Sequence, residues 1–417
     1  MRQSTDAGQP ASEDLDSLVD SLVAYHASAA RHPTDAGGDP ARPLEMAVAD
    51  ELPAIRAALL DDEERRRLDR LGEWFEQDLV RLRPLLEERR RRRVVSWAVQ
   101  HPGSRLRHAG RTLLANAIGR DLSVPGAELH ADPASDVAAL LVGLEGREAS
   151  AQTRYALDRY LRRSGDYPQA RLLSLFGTCH ALSAARRALE RRPAPGRDPE
   201  HPALLAESMA ECRRYLALAE RIAEFRFPPL VIAVGVCGSG KSRFTRELVT
   251  RLGAIRVSSD AERRRLFEPD SAPPHPQGQS GDAPVDIFGE AATGETYRHL
   301  AGCAGALLDA GIPACVDATC LVGWQRDLLR QQAEARGLPC LMVSFEADEA
   351  TLRRRIEKRA RQQGVPVAES LAILAHQRHA FQPFGDEERM NLVHLDTTAE
   401  NAAETLVGLI AEHVKLA

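Results

Sequence analysis

Several things are missing from this chain, and each omission narrows what it can be. Nowhere among its 417 residues is there an apolar run of eighteen, so no segment reads as a membrane-spanning helix. The opening stretch, MRQSTDAGQPASEDLDS, has no basic region followed by an apolar core, and the expectation is a chain without a signal peptide. Cysteine is sparse and odd in number, seven in all with no C-x-x-C pair, which argues for free thiols in a reducing compartment. A cytoplasmic location is therefore expected. Charge of either sign is nearly balanced, with a net value of −5 and a pI of about 6.3. That balance gives no support to general nucleic-acid binding. Strand-like alternation is almost absent before residue 228. What remains is 43% apolar and 28% charged residues, enough for two or three globular domains.

The front half reads as helical. Apolar residues recur at helical spacing at Leu52, Ile55, Leu59 and Leu60, then at Leu68, Leu71, Trp74, Phe75, Leu79, Leu82 and Leu85. The stretches 15–30, 136–144, 153–163, 169–191 and 204–225 follow the same pattern. A Pro-rich connection, RRPAPGRDPEHPA (191–203), marks the boundary. The expected domains are residues 1–203, mainly α-helical, and residues 204–417. After residue 228 the pattern changes to short apolar runs, PLVIAVG, AIRVSS, IPACVDA, LPCLMVSFEA and NLVHLDT, each followed by helical periodicity. This predicts an α/β fold: a three-layer αβα domain around a mainly parallel five-stranded sheet. The polar, Pro-rich segment 271–284 is expected to be a mobile loop near the site.

The first of those runs leads into GVCGSGKS. Gly235, Gly240, Lys241 and Ser242 match G-x-x-x-x-G-K-[ST] between an expected strand and an expected helix. Glycines let backbone N–H groups turn inward around phosphate oxygens, and the positive end of the next helix adds to the anion site. Residues Gly235, Val236, Cys237, Gly238, Ser239, Gly240, Lys241 and Ser242 are thus the expected cradle for ATP or GTP. Lys241 can reach the β- and γ-phosphates, and the Ser242 hydroxyl is a hard oxygen donor for Mg²⁺.

A phosphate cradle alone does not separate kinases from hydrolases. Motor-type ATPases end the metal-binding strand in Asp-Glu, the Glu orienting a water; here the strand reads CVDATC, with Ala318 after Asp317. Water activation then has no obvious agent, and hydrolysis loses weight as the main task, though an ATPase stays open. Asp317 remains a candidate for the Mg²⁺ shell, with a turn or cap as its plainer role. The second strand ends in RVSSDAERRRLF, which puts Asp260 at the carboxyl end of the sheet, where ligands bind in open α/β folds. Asp260 is the candidate base for an acceptor hydroxyl; helix capping is its rival role. In LRRRIEKRARQQG, Arg355 and Arg359 fall four apart on one helical face. Such a face can close over ATP as a lid, or simply be solvated, and the sequence does not choose between the two arginines.

Together these motifs resemble the small P-loop kinases that include gluconate kinase, polynucleotide 5′-hydroxyl kinase and zeta-toxin relatives, over residues 230–415. The pattern is similar to the AAA-type ATPase/kinase half of bacterial two-domain proteins whose front half resembles aminoglycoside phosphotransferases. That resemblance implies Asp260 as base and Asp317 as the metal-side carboxylate. Residues 15–190 look like the helical lobe of such a phosphotransferase, but its H-G-D-x-x-x-x-N loop is reduced to AGRTLLAN. Ala109 and Arg111 stand where His and Asp belong, and only Asn116 survives; an arginine cannot act as a base at neutral pH. Asp132 is the remaining acidic candidate there. The front half is therefore expected to be a catalytically dead lobe serving as scaffold, regulator or substrate shelf, with room for a protein partner. The five arginines at 89–93 read as a solvated helix end, and His108, Cys179 and His180 as ordinary helix residues.

The expected activity is ATP- and Mg²⁺-dependent phosphoryl transfer to a hydroxyl of a small molecule that the residues do not identify. A nucleotide-dependent switch working through a protein partner, and a nucleic-acid 5′-hydroxyl kinase, are the alternatives.

Overall fold

The computed structural model describes residues 12–28, 39–59, 61–93, 95–98, 105–108, 111–114, 128–190, 202–268 and 286–416. Two compact units divide the chain. One is Met1–Leu157 with Gln169–Phe225; the other is Asp158–Pro168 with Arg226–Ala417. Relative to the expected 203/204 boundary, the last helix of the front half belongs to the first unit. A short piece of the front-half sequence, Asp158–Pro168, belongs to the second.

In the first unit, helices α1 (Ser12–Ser28), α2 (Arg42–Ala58), α3 (Asp62–Arg93), α4 (Pro133–Glu145), α5 (Ser150–Ser164, split between the units), α6 (Leu173–Glu190) and α7 (Pro202–Ala223) dominate. The helical periodicity read from sequence marks the core stripe of α3: Leu68, Leu71, Phe75, Leu79 and Leu82 are buried, and Leu86 rather than Leu85 continues it. Four strands that the periodicity did not announce lie between α3 and α4. β1 (Val95–Ala98) pairs antiparallel with β4 (Glu128–Ala131), and β2 (Arg105–His108) with β3 (Arg111–Leu114). At four residues each, they are too short for alternation to register. The degenerate stretch AGRTLLAN contributes Arg111–Leu114 to β3; its residues 109, 110, 115 and 116, Asn116 among them, lie outside the described residues.

Three expectations about this unit change. His108, expected on a helix face, ends strand β2 opposite Arg111. Arg89 opens the arginine run but is buried, its guanidinium paired with Asp132 through Nε–Oδ2 and Nη2–Oδ1 contacts of 2.7 and 2.9 Å. Asp132 also caps α4, accepting the Ala134 N–H at 2.8 Å. Cys179 and His180 are buried inside α6, where His180 Nε2 bonds to Ser135 O at 2.9 Å.

The second unit is built on one parallel sheet. Its strands are β5 (Leu230–Val234), β6 (Ile255–Ser258), β7 (Ala314–Asp317), β8 (Cys340–Glu346) and β9 (Leu392–Asp396), in the order β6-β7-β5-β8-β9. These are the five apolar runs read from the sequence. All five residues of β5 are buried, as expected of a central strand covered on both faces. Helix α8 (Lys241–Leu252) lays Phe244 and Leu248 against Val231, Ala233, Leu341, Val343 and Phe345 of the sheet, and α15 (Ala402–Leu416) adds Leu406 and Ile410. Burying a side chain such as Leu248 contributes roughly 1.5–3 kcal/mol. The remaining helices are α9 (Ser259–Phe267), α10 (Glu290–Asp309), α11 (Gly323–Glu334), α12 (Glu349–Gln363), α13 (Val367–Ala380) and α14 (Asp386–Arg389). The sheet reverses direction of growth at β5, whose neighbours are β7 and β8, and the loop leaving β5 opens at that switch point. The segment 271–284 lies outside the described residues.

Candidate nucleotide site

Between β5 and α8 the chain makes a turn that only glycine accommodates. Gly235, Gly238 and Gly240 have φ of +146°, +81° and +103°. A Cβ on Gly235 would stand 2.8 Å from Phe345 O and 2.9 Å from Ser239 Oγ. On Gly238 it would meet Ile356 Cγ1 at 3.0 Å. The loop is anchored from several sides. Gly235 N–H donates to Thr319 O at 3.0 Å, in the loop after β7. Cys237 N–H donates to Gln377 Oε1 of α13 at 2.7 Å. Gly240 leads directly into α8, where no side chain caps the first turn, so its N–H groups are free of a side-chain acceptor and suited to an anion.

Lys241 is buried, its Nζ donating to the carbonyl oxygens of Gly235 and Val236 at 2.6 and 2.9 Å. Burial lowers its pKa, and the negative charge of Asp317 works in the opposite direction. Ser242, next in sequence, is exposed. Asp317 ends β7 and is buried; Thr245 Oγ1 of α8 donates to its Oδ2 at 3.4 Å. Arg256 of β6 approaches the same carboxylate, Nη1 to Oδ2 at 3.6 Å, and also donates to Ser242 O at 3.3 Å. Arg256 is itself held from behind: its backbone N–H donates to Asp158 Oδ1 at 2.9 Å. Among the described residues β6 is an edge strand, and this carboxylate from α5 occupies an amide on its unpaired side.

Asp260 lies in the first turn of α9, two residues beyond Ser258, whose register partner in β7 is Asp317. Its side chain is 66% exposed, with Arg264 Nη2 at 3.6 Å. Helix α9 takes Ser258 as its N-cap residue and shows no side-chain cap bond there. The capping role weighed for Asp260 is therefore not what the structure shows. No hydrogen bond joins Asp260 to the glycine loop among the described residues.

The two arginines of α12 behave differently. Arg355 Nη1 donates to the carbonyls of Gly238 and Ser239, both at 3.3 Å, and to Thr397 Oγ1 at 2.9 Å; its Nη2 donates to Thr397 O at 3.1 Å. Arg359 is exposed and makes no hydrogen bond or ion pair among the described residues, although its charge is felt by both Lys241 and Cys237. Leu352 and Ile356 of α12 pack with Leu374 of α13 against Val236 and Cys237.

Residues 230–384 match the family model for an AAA domain. The second unit thus carries a P-loop nucleotide-binding domain, and the expected phosphate cradle is the loop described above. Among solved structures, gluconokinase of Sinorhizobium meliloti 1021 is similar at 22% identity over 46% of this chain and 97% of its own, with a TM-score of 0.32. The APS kinase CysC of Mycobacterium tuberculosis, solved with AMPPNP and APS, is similar at 20% identity over 45% of this chain and 99% of its own, TM-score 0.32. Kti12 of Chaetomium thermophilum, solved with ADP-AlF3, gives 14% identity over 45% and 99%, TM-score 0.33. No curated protein matches the chain. No helix among the described residues is long and apolar enough to cross a membrane.

Sequence reasoning missed four residues that shape this loop: Thr245, Arg256, Gln377 and Thr397. Only Arg256 left a signal, as the single charge inside the apolar run AIRVSS.

Proposed function

We propose that the second unit transfers the γ-phosphoryl group of ATP to a hydroxyl of a small molecule. The observation that carries this reading is the pairing of a glycine cradle around buried Lys241 with a strand end that reads Asp317-Ala318, without a Glu to orient water. The nucleotide phosphates lie along residues 235–242, bonded by backbone N–H groups and by Lys241 once its ammonium turns from the loop carbonyls to the β- and γ-oxygens. The donor set suits Mg²⁺: the exposed Ser242 hydroxyl and the buried Asp317 carboxylate are hard oxygens at the head of α8 and the end of β7. Bound there, the cation supplies charge neutralisation at the β- and γ-phosphate oxygens.

Asp260 accepts the proton of the acceptor hydroxyl. As that oxygen forms its bond to the γ-phosphorus, the bond to the β–γ bridging oxygen breaks and ADP leaves. Arg359, which makes no hydrogen bond or ion pair among the described residues, is assigned to the charge that grows on the transferring group. Arg355, already committed to loop carbonyls and Thr397, holds the lid helix to the loop. The first unit is proposed to be a non-catalytic scaffold, since Asp132, its remaining acidic candidate, is engaged by Arg89 and by the α4 N-terminus.

Replacing Asp260 with Asn tests the assignment. Transfer should be lost while ATP affinity stays nearly intact; a fully active variant would remove Asp260 from the mechanism.

One observation favours a second reading, a nucleotide-dependent switch. Asp158 holds the backbone of Arg256, which in turn reaches Asp317 and Ser242. Asp158 lies on α5, the helix that the two units divide between them. Turnover unresponsive to every acceptor, with a protein partner that binds only the ATP form, would favour that view over a kinase.

A further inference from the structure

Away from the nucleotide loop, three side chains of different chemistry converge between α9 and α10. Glu262 is fully buried on α9, while His299 and Cys303 lie one turn apart on α10. The Glu262 carboxylate divides its two oxygens. Oε1 accepts from Tyr167 Oη at 3.2 Å and is ion-paired with Arg265. Oε2 faces His299 Nε2 at 3.0 Å, and the same Nε2 is 3.5 Å from Cys303 Sγ. One ligand atom from each of the three residues lies within 4.8 Å of the other two.

We propose that Glu262 Oε2, His299 Nε2 and Cys303 Sγ form a zinc site. Carboxylate oxygen, imidazole nitrogen and thiolate sulfur together are a borderline-soft donor set, which selects Zn²⁺ over Mg²⁺ or Ca²⁺. Tyr167 and Arg265 both use Oε1, so the ligating oxygen is left to the cluster, and they orient the carboxylate as outer partners do in metal sites. The His299 side chain is 27% exposed and gives the ion its way in.

Binding replaces a hydrogen bond by coordination. The Cys303 thiol releases its proton to solvent, and the proton that His299 Nε2 donates to Glu262 moves to Nδ1, so that Nε2 can donate its lone pair. Three protein ligands leave one position for water. Because two ligands sit on α10 and one on α9, the ion ties these helices together, two residues from Asp260. This inference does not depend on the proposed kinase reaction.

The test is a Co²⁺ titration of the full-length, untagged, chelator-treated protein, followed by absorption. A saturable near-ultraviolet thiolate-to-cobalt charge-transfer band, bleached by added Zn²⁺, is expected. Cys303→Ser should lose the band. His299→Gln, at the more exposed position, should weaken zinc affinity by at least the roughly 10–100-fold that loss of an outer partner alone costs. Both variants should melt like the parent protein in the presence of chelator. An absent band in the parent protein, or an unchanged one in Cys303→Ser, would overturn the site and leave Glu262 as a hydrogen-bond hub alone.

Discussion

Arg355 Nη1 donates to Thr397 Oγ1 across 2.9 Å, and with the same nitrogen it bonds the carbonyls of Gly238 and Ser239. Helix α12 is therefore stapled to the glycine loop by an arginine that has no donor to spare at Nη1. Four residues on, Arg359 has no such partner among the described residues. Arg355→Ala should lower the stability of the second unit by about 1–3 kcal/mol, read as a shifted denaturation midpoint. Arg359→Ala should leave that midpoint in place and reduce the turnover number about a hundredfold or more. Equal effects of the two variants on both readouts would undo the division of labour.

The cradle geometry makes its own prediction. Gly235 sits at φ +146° with Phe345 O only 2.8 Å from the place of a Cβ. Gly235→Ala forces either the loop or β8 to move, at a cost on the order of 1–3 kcal/mol. ATP affinity, measured by calorimetry, should fall with it. Wild-type affinity in this variant would show that the loop closes on nucleotide in some other conformation.

How much of this was legible beforehand depends on where the information lives. The sheet and the loop were, because continuous apolar runs ending in glycine or Asp are local signals and the P-loop is a contiguous one. The strand pairs between α3 and α4 were not, since four residues carry too little periodicity. Arg89 shows the other limit. A run of five arginines at a helix end reads as solvated, and only the distant Asp132 makes its first member a buried residue. The same holds for Asp158, which in sequence belongs to an unremarkable helix and in space occupies the edge amide of β6. Of the paired arginines, the spacing marked both; their separate roles depend on Thr397, more than thirty residues away.

Arg256 competes with any cation for the Asp317 carboxylate. Removing its charge with Arg256→Met should lower the Mg²⁺ concentration needed for half-maximal nucleotide turnover by several-fold. A higher requirement, in protein that folds normally, would mean that Arg256 positions Asp317 rather than opposing the metal.

His180 provides a pH dependence with a defined sign. Burial pushes its pKa down to about 4, against the helping bond to Ser135 O. The unfolded chain binds a proton near the ordinary value of about 6.5 while the folded one does not, so stability declines as pH falls from about 6.5 toward 4. At pH 5 the contribution of this one group is a loss of about 2 kcal/mol relative to pH 7. His180→Gln should remove that part of the acid sensitivity in urea denaturation of the first unit. An identical pH slope in the variant would assign the effect elsewhere.

Phosphoryl transfer to a small molecule is read out by ADP release from Mg·ATP, with and without a small-metabolite extract. Clear stimulation by the extract is expected, absent in Asp260→Asn and in Lys241→Met. A slow rate that no extract changes would contradict the kinase assignment and move the reading to a nucleotide switch.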